Sequence, residues 1–117
     1  MGLFSGLFGS PLPSLDAGQA QVKLHEKAAP FLLDVRQPDE YRAGHIEDAH
    51  LIPLGELGQR LGELPHDIEI ICVCHSGNRS SRATRFLSDR GFRAINLRGG
   101  MIAWAGAGLP VKKGATR

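Results

Sequence analysis

The sequence predicts an α/β fold, a parallel sheet covered by helices on both faces. Three observations carry this reading. The apolar runs at 31–35 and 68–74 are nearly continuous and rich in β-branched residues, which is the pattern of strands buried on both sides. The segments between such runs have helical spacing with helix start and stop residues. Strand-like and helix-like segments alternate along the chain, as crossovers between parallel strands require.

Residues 1–13 repeat Gly-Leu-Phe at Gly2–Phe4 and Gly6–Phe8 ahead of two prolines, and read as a flexible N-terminal tail. This tail lacks the basic start and long apolar stretch of a secretory signal. It has no charged face to hold it at a membrane surface, and Gly6 stands where a myristoylation motif wants Ser or Thr. Asp16 is a helix cap, and the helix is expected to run to about Lys27, with Ala20, Leu24 and Ala28 on one side and Pro30 as its stop. Phe31–Val35 is a strand ending in a polar Asp34-Val35-Arg36 tip. Pro38 starts a short helix over Asp39–Ala43, closed by Gly44. Ala49–Pro53 is a short strand. Leu54–Leu64 reads as an amphipathic helix around Leu57, Leu61 and Leu64, weakened by Gly58 and Gly62. Ile68–Cys74 is the central strand. A helix over Ser81–Arg90 follows, burying Ala83, Phe86 and Leu87 and closed by Gly91. Ala94–Leu97 is the next strand, and Gly99-Gly100 turns into a short helix, Met101–Ala105, that carries Trp104.

At 117 residues the chain is long enough for one core and too short for two. The expected division is 1–13 as tail, 14–112 as the domain and 113–117 as a C-terminal tail. No run approaches the length of a membrane span, and a cytoplasmic protein, monomeric or weakly dimeric, is expected. A net charge of +2 gives no reason to expect a nucleic-acid partner. Cys72 and Cys74 are the two cysteines. They share a strand face, but a strand is too extended to join them in an unstrained bridge. No Cys-x-x-Cys pair or Cys/His ligand spacing is present, so no metal site is expected.

The chemistry concentrates at Cys74, a thiol at the tip of the central strand. His75-Ser76-Gly77-Asn78-Arg79-Ser80 follows, a tight loop leading into a helix. In such a loop successive backbone N–H groups curl round the sulfur, and the helix N-terminus adds partial positive charge. Arg79 adds a full charge. All three favour thiolate over thiol, so Cys74 is expected to be a nucleophile of lowered pKa and not an inert structural cysteine. At the end of a central strand in an open α/β sheet, this is also where sites are placed. Arg79, Arg82 and Arg85 are spaced by three and lie along one side of the following helix. Arg79 is assigned to the loop and its anion chemistry, whereas Arg85, Arg90 and Arg93 read as a solvated face.

Four segments, in order and at the right distances, resemble a single-domain rhodanese, a sulfurtransferase. They are Leu32-Leu33-Asp34-Val35-Arg36 with Pro38, Glu40, Tyr41 and Gly44-His45-Ile46; Ile52-Pro53-Leu54; the six-residue loop Cys74 to Arg79; and Leu97-Arg98-Gly99-Gly100-Met101 with Trp104 and Gly108-Leu109-Pro110. The likeness spans about Leu15 to Val111. One departure is Glu47-Asp48-Ala49, where the family usually continues with Pro-Gly-Ala. The resemblance implies a parallel sheet of about five strands and a two-step sulfur transfer through a Cys74 persulfide. It implies a small anionic sulfur donor such as thiosulfate, a persulfide or a polysulfide, and a thiol, cyanide or protein acceptor. No metal or organic cofactor is implied. Cys74 and Arg79 would be catalytic. His75, Ser76, Gly77, Asn78 and Ser80 would bind substrate, their N–H groups cradling the anionic terminal sulfur. Gly77 lets the backbone curl, and Asn78 is assigned an unusual turn conformation.

Neighbouring residues carry two readings each. His75 is a specificity contact pointing outward, or an acid-base group. Asp34 and Arg36 support the site from the adjacent strand tip, or form a structural ion pair. His45 ties a turn, or touches substrate at the rim. Cys72 is a small core residue, or a resolving thiol. Trp104 is core or pocket wall, or a binding platform. Two rival functions stand beside sulfur transfer. One is a rhodanese-fold binding or sulfur-relay module serving a single protein partner. The other is a cysteine phosphatase, whose loop in this fold has five residues between Cys and Arg. Here there are four, which fits a sulfur atom better than a phosphate group.

Overall fold

The computed structural model describes residues 11–115. The Gly-Leu-Phe repeats and the last two residues lie outside this range. The elements are β1 (Ser14–Leu15), α1 (Ala17–Leu24), β2 (Phe31–Asp34), α2 (Pro38–Ala43), β3 (His50–Leu51), two 3₁₀ segments (Leu54–Gln59 and Leu61–Glu63), β4 (Glu69–Val73), α3 (Asn78–Ser88), β5 (Arg93–Leu97) and α4 (Gly100–Gly106). One five-stranded sheet runs in the order β1-β5-β4-β2-β3. Every strand pair is parallel, with Leu33 beside Cys72 and Cys72 beside Asn96 at the centre.

Alternation along β4 feeds two cores. Ile70 and Cys72 point to the face covered by α3 and the 3₁₀ segments, packing with Leu33, Val35, Leu57, Ala83 and Leu87. Ile71 and Val73 point to the other face, with Ala17 and Ala20 of α1, Tyr41 of α2, and Met101 and Trp104 of α4. Both faces are thus dry, as the continuous apolar runs require. Trp104 is core, its indole N–H donating to the Pro110 carbonyl at 2.8 Å.

Local chemistry explains the helix starts. Asp16 and Gln19 form a capping box: the Gln19 N–H donates to Asp16 Oδ1 at 2.8 Å, and the Asp16 N–H to Gln19 Oε1 at 2.9 Å. Pro38 opens α2, and Glu40 Oε1 accepts the Gln37 N–H at 2.9 Å.

The sequence reading needs correction at four places. The first helix stops at Leu24 and not near Lys27, because the His25 imidazole Nδ1 turns back to the Gln21 carbonyl and His25 caps the helix. Residues 54–64 are not an α-helix but two 3₁₀ turns broken at Arg60. Their leucines still meet the core, so the periodicity reports burial correctly, while Gly58 and Gly62 remove the helix-forming bias of a regular helix. The two-residue strand β1 carried no readable signal. It exists because the edge of β5 offers unpaired groups: the Asn96 N–H donates to the Pro13 carbonyl and the Arg98 N–H to the Leu15 carbonyl. Finally, α3 starts at Asn78, three residues before the expected Ser81.

Candidate active site

The early start of α3 changes the site. Arg79 and Ser80 belong to the first turn of the helix, and Gly77 is its N-cap, with φ +106°. Gly77, not Asn78, takes the unusual conformation, since only a residue without Cβ adopts this angle freely. Asn78 is an ordinary first helical residue, exposed to solvent.

A helix begins with N–H groups that have no intrahelical partner, and a side chain at the N-cap normally accepts one of them. Glycine has no side chain to do this. Here Cys74 Sγ takes over, accepting the Gly77 N–H at 3.1 Å and the Ser80 N–H at 3.3 Å. The Ser80 hydroxyl, fully buried, donates a third bond at 3.3 Å. Three donors converge on one sulfur at the positive end of a helix. Cys74 is only 1 % exposed, and burial alone would push its thiol up. These three donors, with a smaller contribution from the Ser76 N–H, outweigh burial, and the thiol lies below its ordinary value.

The loop is held from behind. Gly99 and Gly100 both have left-handed backbones, with φ +75° and +55°. They bring the start of α4 against the loop, where the Met101 N–H donates to the Cys74 carbonyl at 2.8 Å and the Ile102 N–H to the His75 carbonyl at 3.1 Å. A Cβ on Gly100 would collide with both carbonyl oxygens. This support is non-local, and sequence reasoning saw only a turn at Gly99-Gly100.

Arg79 lies in the same electrostatic environment as the Cys74 thiolate, and its guanidinium is occupied. It grips Glu40 of α2 with two bonds of 2.7 and 2.8 Å. This partner holds the Glu40 carboxyl down to about 2. Nothing local in the sequence marks Glu40 as Arg79's partner, 39 residues away.

The remaining expected residues fall into place around these. His75 and Ser76 are exposed, with His75 facing outward. Asp34 and Arg36 are buried and locked together, Nε to Oδ1 at 3.0 Å and Nη2 to Oδ2 at 2.8 Å, while Nη2 also donates to the Gly44 carbonyl at 2.7 Å. They make a structural clamp that fixes the β2 tip against α2. A cavity of about 470 Å³ opens beside His75, walled by Arg36, Glu40, Ala43, Met101, Ile102 and Val111 among others. His45 ties a turn: its ring stacks on Tyr41 at 3.7 Å and its Nδ1–H donates to the Tyr41 carbonyl. Cys72 is fully buried in the core, and burial pushes its thiol up to about 12. Among the described residues no cluster of His, Cys, Asp and Glu could hold a metal ion, and no helix is long and apolar enough to cross a membrane.

Known proteins share this fold. Residues 16–107 match the rhodanese-like domain family. A sulfurtransferase of Allochromatium vinosum is 38% identical over 98 residues, covering 83% of this chain and 92% of that protein. The putative sulfur carrier protein YrkF of Bacillus subtilis is also 38% identical, over 83% of this chain and 53% of its own length. The crystal structure of a thiosulfate sulfurtransferase from Pseudomonas aeruginosa superposes with a TM-score of 0.83 at 32% identity, covering 98% of this chain and 22% of that one. With the family match extending over most of the chain and a five-stranded parallel sheet beneath it, the chain belongs to the rhodanese-like domain family.

Proposed function

We propose that this protein is a sulfurtransferase that carries a sulfane sulfur on Cys74. The observation that carries the reading is the convergence of three donors on Sγ. They stabilise a thiolate before reaction, and they stand ready for the anionic persulfide sulfur after it. In the first step the Cys74 thiolate attacks the outer sulfur of the donor. An S–S bond forms at Sγ, the donor's own bond to that sulfur breaks, and its electron pair leaves with sulfite or a thiolate. In the second step an acceptor thiolate, cyanide or protein thiol attacks the terminal sulfur and the Sγ–S bond breaks, returning the Cys74 thiolate. No net oxidant or reductant is needed.

The sulfurtransferase among the relatives, 92% of whose length is matched, supports turnover. The sulfur carrier supports a second form of the same chemistry, in which the acceptor is one protein partner. Four residues between Cys74 and Arg79 disfavour phosphoryl transfer.

The test is the intact mass of the protein before and after thiosulfate or a persulfide, with Cys74→Ser beside it. A gain of one sulfur, absent in the variant and removed by cyanide, is expected. No gain from any donor, or an equal gain in Cys74→Ser, would overturn the reading.

A further inference from the structure

We propose that Glu40 is a specificity-determining residue: by neutralising Arg79 it tunes the site away from dianionic thiosulfate and toward a persulfide carried on an organic body. The proposal rests on the sulfurtransferase reading above and deepens it.

Arg79 is the one Lys or Arg of the loop from Cys74 to Arg79. Both of its terminal nitrogens are taken by both carboxylate oxygens of Glu40. The pair joins the first turn of α2 to the first turn of α3, helices that follow the adjacent strands β2 and β4. The next cation, Arg36, is likewise consumed by Asp34 and the Gly44 carbonyl. The two ion pairs cancel, so the side chains around the Cys74 thiolate leave it no uncompensated cation. Arg82 and Arg85, further along α3, are exposed to solvent, where salt screens them. What remains for an anion is the set of N–H and hydroxyl donors around Sγ, suited to one negative sulfur.

The wall of the adjoining cavity points the same way. Beside Arg36 and Glu40 it offers Ala43, Met101, Ile102 and Val111, with Ile102 56 % and Val111 40 % exposed. Thiosulfate has no apolar part to place there, whereas an organic persulfide does. The transfer balances: Cys74 Sγ bonds to the terminal sulfur, the S–S bond to the organic body breaks, and the departing thiolate takes up a proton.

Glu40→Gln isolates the charge, because Gln at this third helical position still accepts the Gln37 N–H and preserves the cap. Wild type and Glu40→Gln are compared with thiosulfate and with N-acetylcysteamine persulfide, whose body is uncharged. Removing a unit charge from the mouth is expected to raise kcat/KM for the dianion by about the square of the factor for a monoanion, roughly sevenfold against roughly threefold. In parallel, Cys74 is alkylated with iodoacetate and with iodoacetamide. The anionic-to-neutral rate ratio is expected to rise roughly threefold in the variant. This second readout needs no sulfur transfer. A shifted alkylation ratio in a protein that takes sulfur from neither donor removes the sulfurtransferase reading and leaves the charge control standing. Ratios unmoved in both assays, or an equal fall with both donors, would reduce Glu40 to a fold-supporting residue and overturn the proposal. Should Glu40→Gln not fold, wild type decides: a near-flat dependence of the thiosulfate rate on salt supports a neutralised mouth, and a steep fall with salt refutes it.

Discussion

Replacing Ser80 by Ala removes one of the three donors to Cys74 Sγ and leaves the other two in place, since both come from backbone N–H groups. A hydrogen bond to a charged acceptor is worth about 1.5 kcal/mol at the lower end of its range, and about 1.4 kcal/mol corresponds to one pKa unit. The Cys74 thiol should therefore rise by roughly one unit in Ser80→Ala. Two effects then oppose each other. Below its pKa the thiol ionises about tenfold less, while each thiolate becomes about threefold more nucleophilic with the higher basicity. The net result is a rate about three- to fourfold slower on the acid side and about threefold faster on the alkaline side. The two pH–rate curves should cross. The assay is iodoacetamide alkylation of Cys74 across pH, read by mass. Cys72 does not confuse it, being fully buried and held as a thiol by a pKa near 12. Parallel curves, or an unmoved inflection, would refute the idea that the Ser80 hydroxyl helps to make the thiolate.

Two further substitutions test the scaffold. Gly100→Ala places a methyl group against the Cys74 and His75 carbonyls at a left-handed position, so it should cost at least about 3 kcal/mol in urea denaturation and most of the activity; a stable, fully active variant would contradict the loop-support role. Asp48 is the one described residue other than glycine with a left-handed backbone, φ +69°, at the place where the family carries Gly. Asp48→Gly should raise stability by about 0.5–1 kcal/mol with turnover unchanged, measured by thermal melts and sulfur transfer; a loss of stability would show that the Asp side chain holds the turn.

Legibility followed the range of the interaction. Cys74 at a strand tip, the Asp16 cap and the Pro38 helix start are set by residues within a few positions, and the sequence displays them. The parallel sheet is legible because two-sided burial writes a continuous apolar run. The 54–64 segment shows the limit of periodicity: burial of Leu57 and Leu64 constrains which side faces inward, and two different helical windings satisfy it. The start of α3 was misjudged for a different reason. Ser81 was read as the first helical residue, whereas the helix starts at Asn78 and its first-turn donors are taken by a sulfur four residues before it begins, a role that helix-start rules assign to N-cap side chains. Glu40 and Gly100 act across 39 and about 25 residues, and their partners become neighbours only when β2, β4 and β5 lie side by side.

The two cysteines provide an internal control on what makes the nucleophile. Cys72 and Cys74 belong to the same packed cluster and are buried to 0 % and 1 % exposure. Burial by itself pushes both thiols up. One ends near 12 and the other below its ordinary value. Depth contributes, because Cys72 lies deeper in the packing than Cys74 and burial weighs more on it; net positive charge does not, because the guanidinium of Arg79 is matched by Glu40. The decisive difference is that Cys74 stands just past the strand end, where a helix begins with N–H groups that need an acceptor. Had Gly77 been Ser or Asp, its side chain would compete for the Ser80 N–H, and the left-handed turn would be strained as well. The glycine at the N-cap thus serves two purposes, permitting the turn and leaving the first-turn donors to the sulfur. The helix is completed by the same thiolate it activates.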